Sequence, residues 1–155
     1  MNKIVVKNVS KAYKDVKALD NISLEILENK ITGLLGTNGA GKSTLIKILT
    51  GEIKPDNGTI SIFGIDIKNI DEIRKIVNVS PQESAIISNL TVYENLEFFE
   101  HLYGINDAML IDDIMMLFNL KEVKNKRSKT LSGGYKKRLS IAISLITRPR
   151  ILFLD

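Results

Sequence analysis

The chain has 155 residues, 44% of them apolar and 26% charged, with a net charge of +4. That length suits one domain with a genuine core, and the lack of cysteine excludes a disulfide framework and thiolate metal sites. The single histidine, His101, argues against His-based zinc chemistry.

"KIVVKNVS" and "LDNISLEI" alternate apolar and polar residues, as half-buried strands do. "ITGLLG" is a short apolar run ending in glycine and predicts a fully buried strand. It leads through "TNGAGKS" into the helical "TLIKILTG", which Gly51 ends. "KPDNG" predicts a turn before the strand-like "TISIFG". "DEIRKIVNVSPQ" then reads as a short helix, a strand and a proline-marked stop. Thr91 and Glu94 in "TVYE" form a capping box that opens a helix continuing to Gly104. "DAMLIDDIMMLFNL" predicts a second helix whose Met and Phe stripe packs in the core. A third helix begins near "SGGYKKRLSIAISLI" and stops before Pro149, and "ILFL" predicts a buried parallel strand. The pattern is α/β with a helical insertion between Gln82 and Leu131.

"GTNGAGKS", Gly36 to Ser43, fits G-x-x-x-x-G-K-[ST] between a strand and a helix. Its glycines let backbone N–H groups curl around phosphate oxygens, and the helix N-terminus adds a favourable dipole. Lys42 would bridge the β- and γ-phosphates, and Ser43 would bind Mg²⁺. A glycine-rich structural turn could share this composition; the strand–loop–helix context favours phosphate. "LSGG", Leu131 to Gly134, is a second glycine-rich stretch opening a helix, which by itself would read as an ordinary Ser N-cap.

The basic cluster from Lys121 to Arg138 has only Tyr135 among its aromatics, so a solvated face is favoured over nucleic-acid binding. "MNKIVVKNVS" has too short an apolar run for a signal peptide. No segment approaches the ~18 consecutive apolar residues of a membrane span, so a membrane link is expected through a partner.

The order of a phosphate loop, then "SPQ", then "LSGGYKKRLSIAISLITRPRILFLD" resembles the ATP-binding-cassette (ABC) nucleotide-binding domains along the whole chain. The resemblance implies a single incomplete cassette over residues 1–155, with a helical insertion at about 83–130. Its fold would be a P-loop NTPase with a RecA-like parallel core, an N-terminal antiparallel β subdomain and that insertion. It implies that Tyr13 stacks on adenine, and that Gly36, Asn38, Gly39, Gly41, Lys42, Ser43 and Thr44 hold the phosphates. Gln82 would touch Mg²⁺ or the attacking water, and Asp155 would hold Mg²⁺ through water. Leu131, Ser132, Gly133, Gly134 and Tyr135 would be the signature motif, with Ser132, Gly133 and Gly134 reaching nucleotide on a second cassette. Lys42, Gln82 and Asp155 would carry the catalytic roles.

ATP and Mg²⁺ are the implied ligands, and the implied partners are a second, head-to-tail cassette and a transmembrane permease, with no nucleic acid. The implied location is the cytoplasmic face of the cell membrane. Thr37 stands where proline is common and Tyr135 where glutamine is usual. His101 lies in "FFEHLYG" and is not the family's switch histidine, which falls after the Walker B aspartate. The family's catalytic glutamate would follow Asp155, so the chain is expected to be the N-terminal two-thirds of a cassette. Such a piece by itself would hydrolyse little ATP. "NLTVYENLEFFEHLYGI" resembles cassettes of ABC-2-type exporters. Two alternatives stay open: a non-hydrolysing nucleotide-binding remnant, and a cassette of a soluble protein acting on ribosomes.

Overall fold

The computed structural model describes residues 2–80, 86–107 and 109–154. The chain forms two compact units, residues 1–75 and 76–155.

The first unit is built on an antiparallel sheet. β1 (Asn2–Tyr13) and β2 (Val16–Leu27) form a long hairpin, and β3 (Asn57–Ile62) and β4 (Ile65–Asp66) extend it in the order β2-β1-β3-β4. Alternation sets which side chains point inward: Ile4 faces Ile62 and Val6 faces Ile60 across the ladder, and all four are buried. Two asparagines relax the hairpin where its register shifts. Asn8 and Asn21 take left-handed backbone, and their N–H groups donate to the hydroxyls of Ser23 and Ser10, each at 2.9 Å. α1 (Lys42–Leu49) contacts β2 and buries Leu45, Ile46, Ile48 and Leu49. It ends at Gly51, whose φ of 72° is the left-handed conformation glycine adopts without strain. α2 (Ile70–Ile76) follows, with Asp71 and Glu72 in its first turn and Arg74 and Lys75 in its last, complementing its dipole.

The second unit places α5 (Gly133–Leu145) between a parallel strand pair and a helical layer. β5 (Val77–Ser80) pairs in parallel with β6 (Ile151–Leu154) from Val77↔Ile151 to Ser80↔Leu154. One side of α5 meets this pair: Asn78 donates to the Ser144 carbonyl at 2.9 Å, and the Ser80 and Ser140 hydroxyls lie 3.3 Å apart. Its other side, with Leu139, Ala142 and Ile143, joins the core of α3 (Val92–Leu102) and α4 (Leu110–Leu117). Burial on two sides explains why α5 carries no clean apolar stripe.

Two strand expectations are corrected. Residues 31–36, "ITGLLG", form no strand, and Ile31, Leu34 and Leu35 are exposed. An apolar run becomes a strand only through ladder hydrogen bonds, and no described strand pairs with it. β6 is parallel as expected, yet half-buried rather than buried, because a two-stranded sheet leaves each strand an open edge. The Met and Phe stripe divides as well. Met115 is fully buried, whereas Met109 and Met116 face solvent, since an eight-residue helix covers the core with one face only.

Candidate functional site

In the first unit the loop 36–41 delivers the chain into α1. Gly41 is its N-cap, with φ 84°, and no side chain caps the helix. A Cβ at Gly41 would lie 2.2 Å from the Ala18 carbonyl oxygen and 2.8 Å from Leu19 Cδ2. Only glycine lets the loop pass this close to β2 while turning left-handed. The turn is closed by Ala40 N–H donating to Thr37 at 3.2 Å. The Lys42 ammonium folds back over the loop, donating to the carbonyls of Gly36 at 2.9 Å and Thr37 at 2.8 Å. The structure thus brings together a cation, glycine-shaped backbone and a helix N-terminus with no acidic residue in its first turn. These three features attract an anion, and phosphate oxygens are stronger partners for an ammonium than neutral carbonyls.

Tyr13 ends β1 at the tip of the hairpin, where it is 46% exposed. Sequence reasoning took Asp56 only as part of a turn. Its carboxylate accepts from Lys11 Nζ at 2.6 Å and from Ala12 N–H at 2.8 Å, tying the hairpin tip to the start of β3. The Lys11 hydrogen bond, reinforced by the Ala12 N–H, holds the Asp56 carboxyl below the usual carboxylate range. Lys11 also lies 5.9 Å from the centroid of the Tyr13 ring.

In the second unit Ser132 is the N-cap of α5, accepting from Tyr135 N–H at 3.5 Å, and Ser132, Gly133 and Gly134 are exposed. The first turn contains no acidic residue, so a second anion-attracting helix terminus is present. Two local arrangements hold the segment before it. Val92 and Tyr93 N–H donate to the carbonyls of Lys126 and Lys124, each at 3.1 Å, and Ser128 and Lys129 N–H donate back to Leu90 and Ser88 at 2.9 Å. The predicted capping box is present, with Thr91 N–H donating to Glu94 Oε2 at 2.7 Å and Glu94 N–H to Thr91 Oγ1 at 3.2 Å. His101 is exposed in the last turn of α3. Gln82 and Asp155 lie outside the described residues.

Sequence reasoning also missed Asn95. It is fully buried and bonds the backbone of Ile87, Leu90 and Thr91 and the hydroxyl of Ser128. Its signal was available: a polar residue on the stripe of Val92, Leu96 and Phe99 needs buried partners.

The family model described as "ABC transporter" matches residues 19–155. The chain belongs to the ABC transporter family. Its fold is the P-loop fold of the ABC nucleotide-binding domain, and solved cassettes share it. "Structure of cbiO1 from clostridium perfringens: Part of the ABC transporter complex cbiONQ" aligns over 100% of this chain and 66% of that chain, with TM-score 0.87 and 28% identity. A nucleotide-free ATP-binding cassette from an ABC transporter aligns over 100% of this chain and 69% of its own, with TM-score 0.84 and 26% identity. Among curated relatives, mouse "Cholesterol transporter ABCA5" is 38% identical over 157 residues, 97% of this chain and 10% of the relative. Human "ATP-binding cassette sub-family A member 2" is 39% identical over 98% of this chain and 6% of its own length. Human "Phospholipid-transporting ATPase ABCA3" is 37% identical over 98% of this chain and 9% of its own. The cassette therefore spans a tenth or less of these curated relatives. Among the described residues, no helix is long and apolar enough to cross a membrane.

Proposed function

We propose that this cassette binds Mg-ATP on Gly36, Asn38, Gly39, Gly41, Lys42, Ser43 and Thr44, and that ATP hydrolysis drives transport through a permease partner. The observation that carries the reading is Lys42, whose ammonium is folded over the loop carbonyls at an N-terminus that no side chain caps. Lys42 would transfer its hydrogen bonds to the β- and γ-phosphates, the loop amides would hold the remaining oxygens, and Tyr13 would offer its exposed ring to adenine.

The donor set also fits Mg²⁺. This ion is usually held by one or two carboxylates or hydroxyls together with substrate phosphates, not by a protein cage. Ser43, Gln82 and Asp155 are the proposed ligands, and the ion when bound would neutralise charge on the transferring phosphoryl group. Ser132, Gly133 and Gly134 would face the nucleotide of a second, head-to-tail cassette, excluding water and donating to its γ-phosphate. Two relatives, named a cholesterol transporter and a phospholipid-transporting ATPase, support a lipid-like cargo, and export from the cytoplasmic face of a membrane is part of the same proposal.

Titration with fluorescent ATP in the presence of Mg²⁺ tests the reading. Lys42→Ala is expected to weaken binding by about a hundredfold, in line with loss of a charge-assisted contact of up to ~3 kcal/mol. Equal affinity in the variant would overturn the assignment.

A further inference from the structure

Two consecutive glycines, Gly133 and Gly134, open α5, and a Cβ at either would meet nothing within 4 Å. Side-chain packing therefore does nothing to order this turn, although glycine makes it the most flexible kind of helix start. Ordering has to come from the residues on either side. Ser132 supplies one contact through its cap. Tyr135 supplies the other: its N–H completes the cap, its ring packs on the insertion core, and its hydroxyl donates to the Glu122 carboxylate. Glu122 sits in a 3-10 turn, Lys121–Val123, which the buried Val123 fixes to the same core. The Arg138 guanidinium lies 5.0 Å from the Tyr135 ring centroid, on the other side of the phenol's charge balance.

We propose that Tyr135 is a positioning residue: through Glu122 it fixes the first turn of α5, so that the amides beside Ser132 meet phosphate in one orientation. The residue where this chain departs from the usual glutamine thus acts on its own cassette, with its hydroxyl engaged by Glu122. The Glu122 hydrogen bond pushes the Tyr135 hydroxyl above its ordinary range, because the carboxylate favours the protonated, donating phenol. The inference rests on reading Ser132–Gly134 as an anion site for a second cassette's nucleotide.

The test uses the whole protein, with four variants. Tyr135→Phe keeps the ring and removes the donor; Glu122→Ala removes the acceptor; Glu122→Gln keeps an acceptor oxygen; the fourth combines Tyr135→Phe with Glu122→Ala. Loss of this hydrogen bond is expected to lower kcat by about threefold to tenfold in Tyr135→Phe and in Glu122→Ala. The double variant should lose no more than either single one, and KM for ATP should stay within about twofold, because Lys42 and its loop are untouched. Glu122→Gln should restore kcat. Amide hydrogen exchange at Gly133, Gly134 and Tyr135 should quicken in the same impaired variants and not in Glu122→Gln.

Unchanged exchange in Tyr135→Phe overturns the tether. Faster exchange with unchanged kcat overturns its role in the reaction, as does a loss confined to KM or a Glu122→Gln variant as impaired as Glu122→Ala. A wild-type protein that hydrolyses no ATP, yet shows the exchange response, overturns the functional reading and supports the tether.

Discussion

The side-chain amide of Asn95 donates to the hydroxyl of Ser128 at 3.0 Å, and both residues are fully buried. The contact joins the start of α3 to the segment that leads into α5, 33 positions later in the chain. Asn95 also accepts from Ile87 N–H at 2.8 Å and donates to the Ile87 and Thr91 carbonyls at 3.1 and 2.8 Å. Asn95→Ala would strand these buried groups, each of which costs roughly 1–3 kcal/mol when left unpaired. A loss of about 3 kcal/mol or more is expected, read from urea unfolding midpoints at constant slope. A loss under about 1 kcal/mol would show that water replaces the amide.

Gly41→Ala tests the shape of the phosphate loop. The added methyl would collide with the Ala18 carbonyl and Leu19, at a backbone φ of 84°. Relief requires the loop to leave its path, so nucleotide affinity should fall by at least about tenfold, with ~1–2 kcal/mol of lost stability from the strained backbone. Isothermal titration and thermal unfolding on one preparation separate the two effects.

Tyr13 and Asp56 should act on the base and not on the phosphates. Tyr13→Ala is expected to weaken ATP binding by about tenfold, at the lower end of base–aromatic stacking near 1–3 kcal/mol, and Asp56→Ala by less. Tripolyphosphate should bind equally well to all three proteins, since Lys42 and its loop remain. A matching loss for tripolyphosphate would assign Tyr13 to packing.

Stability should fall at both ends of the pH scale for identifiable reasons. The Thr91 N–H and hydroxyl hold the Glu94 carboxyl below its usual range, and Lys11 and Ala12 do the same for Asp56. A lowered carboxylate stabilises the fold above the unfolded value of about 4 and ceases to as pH falls through the folded value. Tyr135 is raised, so its contribution is present below about pH 10 and lost as pH climbs through the folded value. Glu94→Gln should therefore flatten the acid limb of unfolding free energy against pH, and Tyr135→Phe the alkaline limb. An unchanged acid slope in Glu94→Gln would remove the capping box as its cause.

The sequence by itself determined the local elements whose signals lie within a few residues. The Thr91–Glu94 capping box, the stop at Gly51 and the alternation of β1 and β2 all formed as read, because each depends on one turn or one strand of backbone. The two glycine-rich loops were legible for the same reason. Tertiary structure alone decided what depends on partners distant in sequence. "ITGLLG" has the composition of a buried strand and forms none, since no described strand pairs with it. Asn95 meets Ser128, Asp56 meets Lys11 and Tyr135 meets Glu122 across separations of 33, 45 and 13 residues. Each is a hydrogen bond made only after the chain has folded its elements side by side, so composition and period carry no trace of the partner.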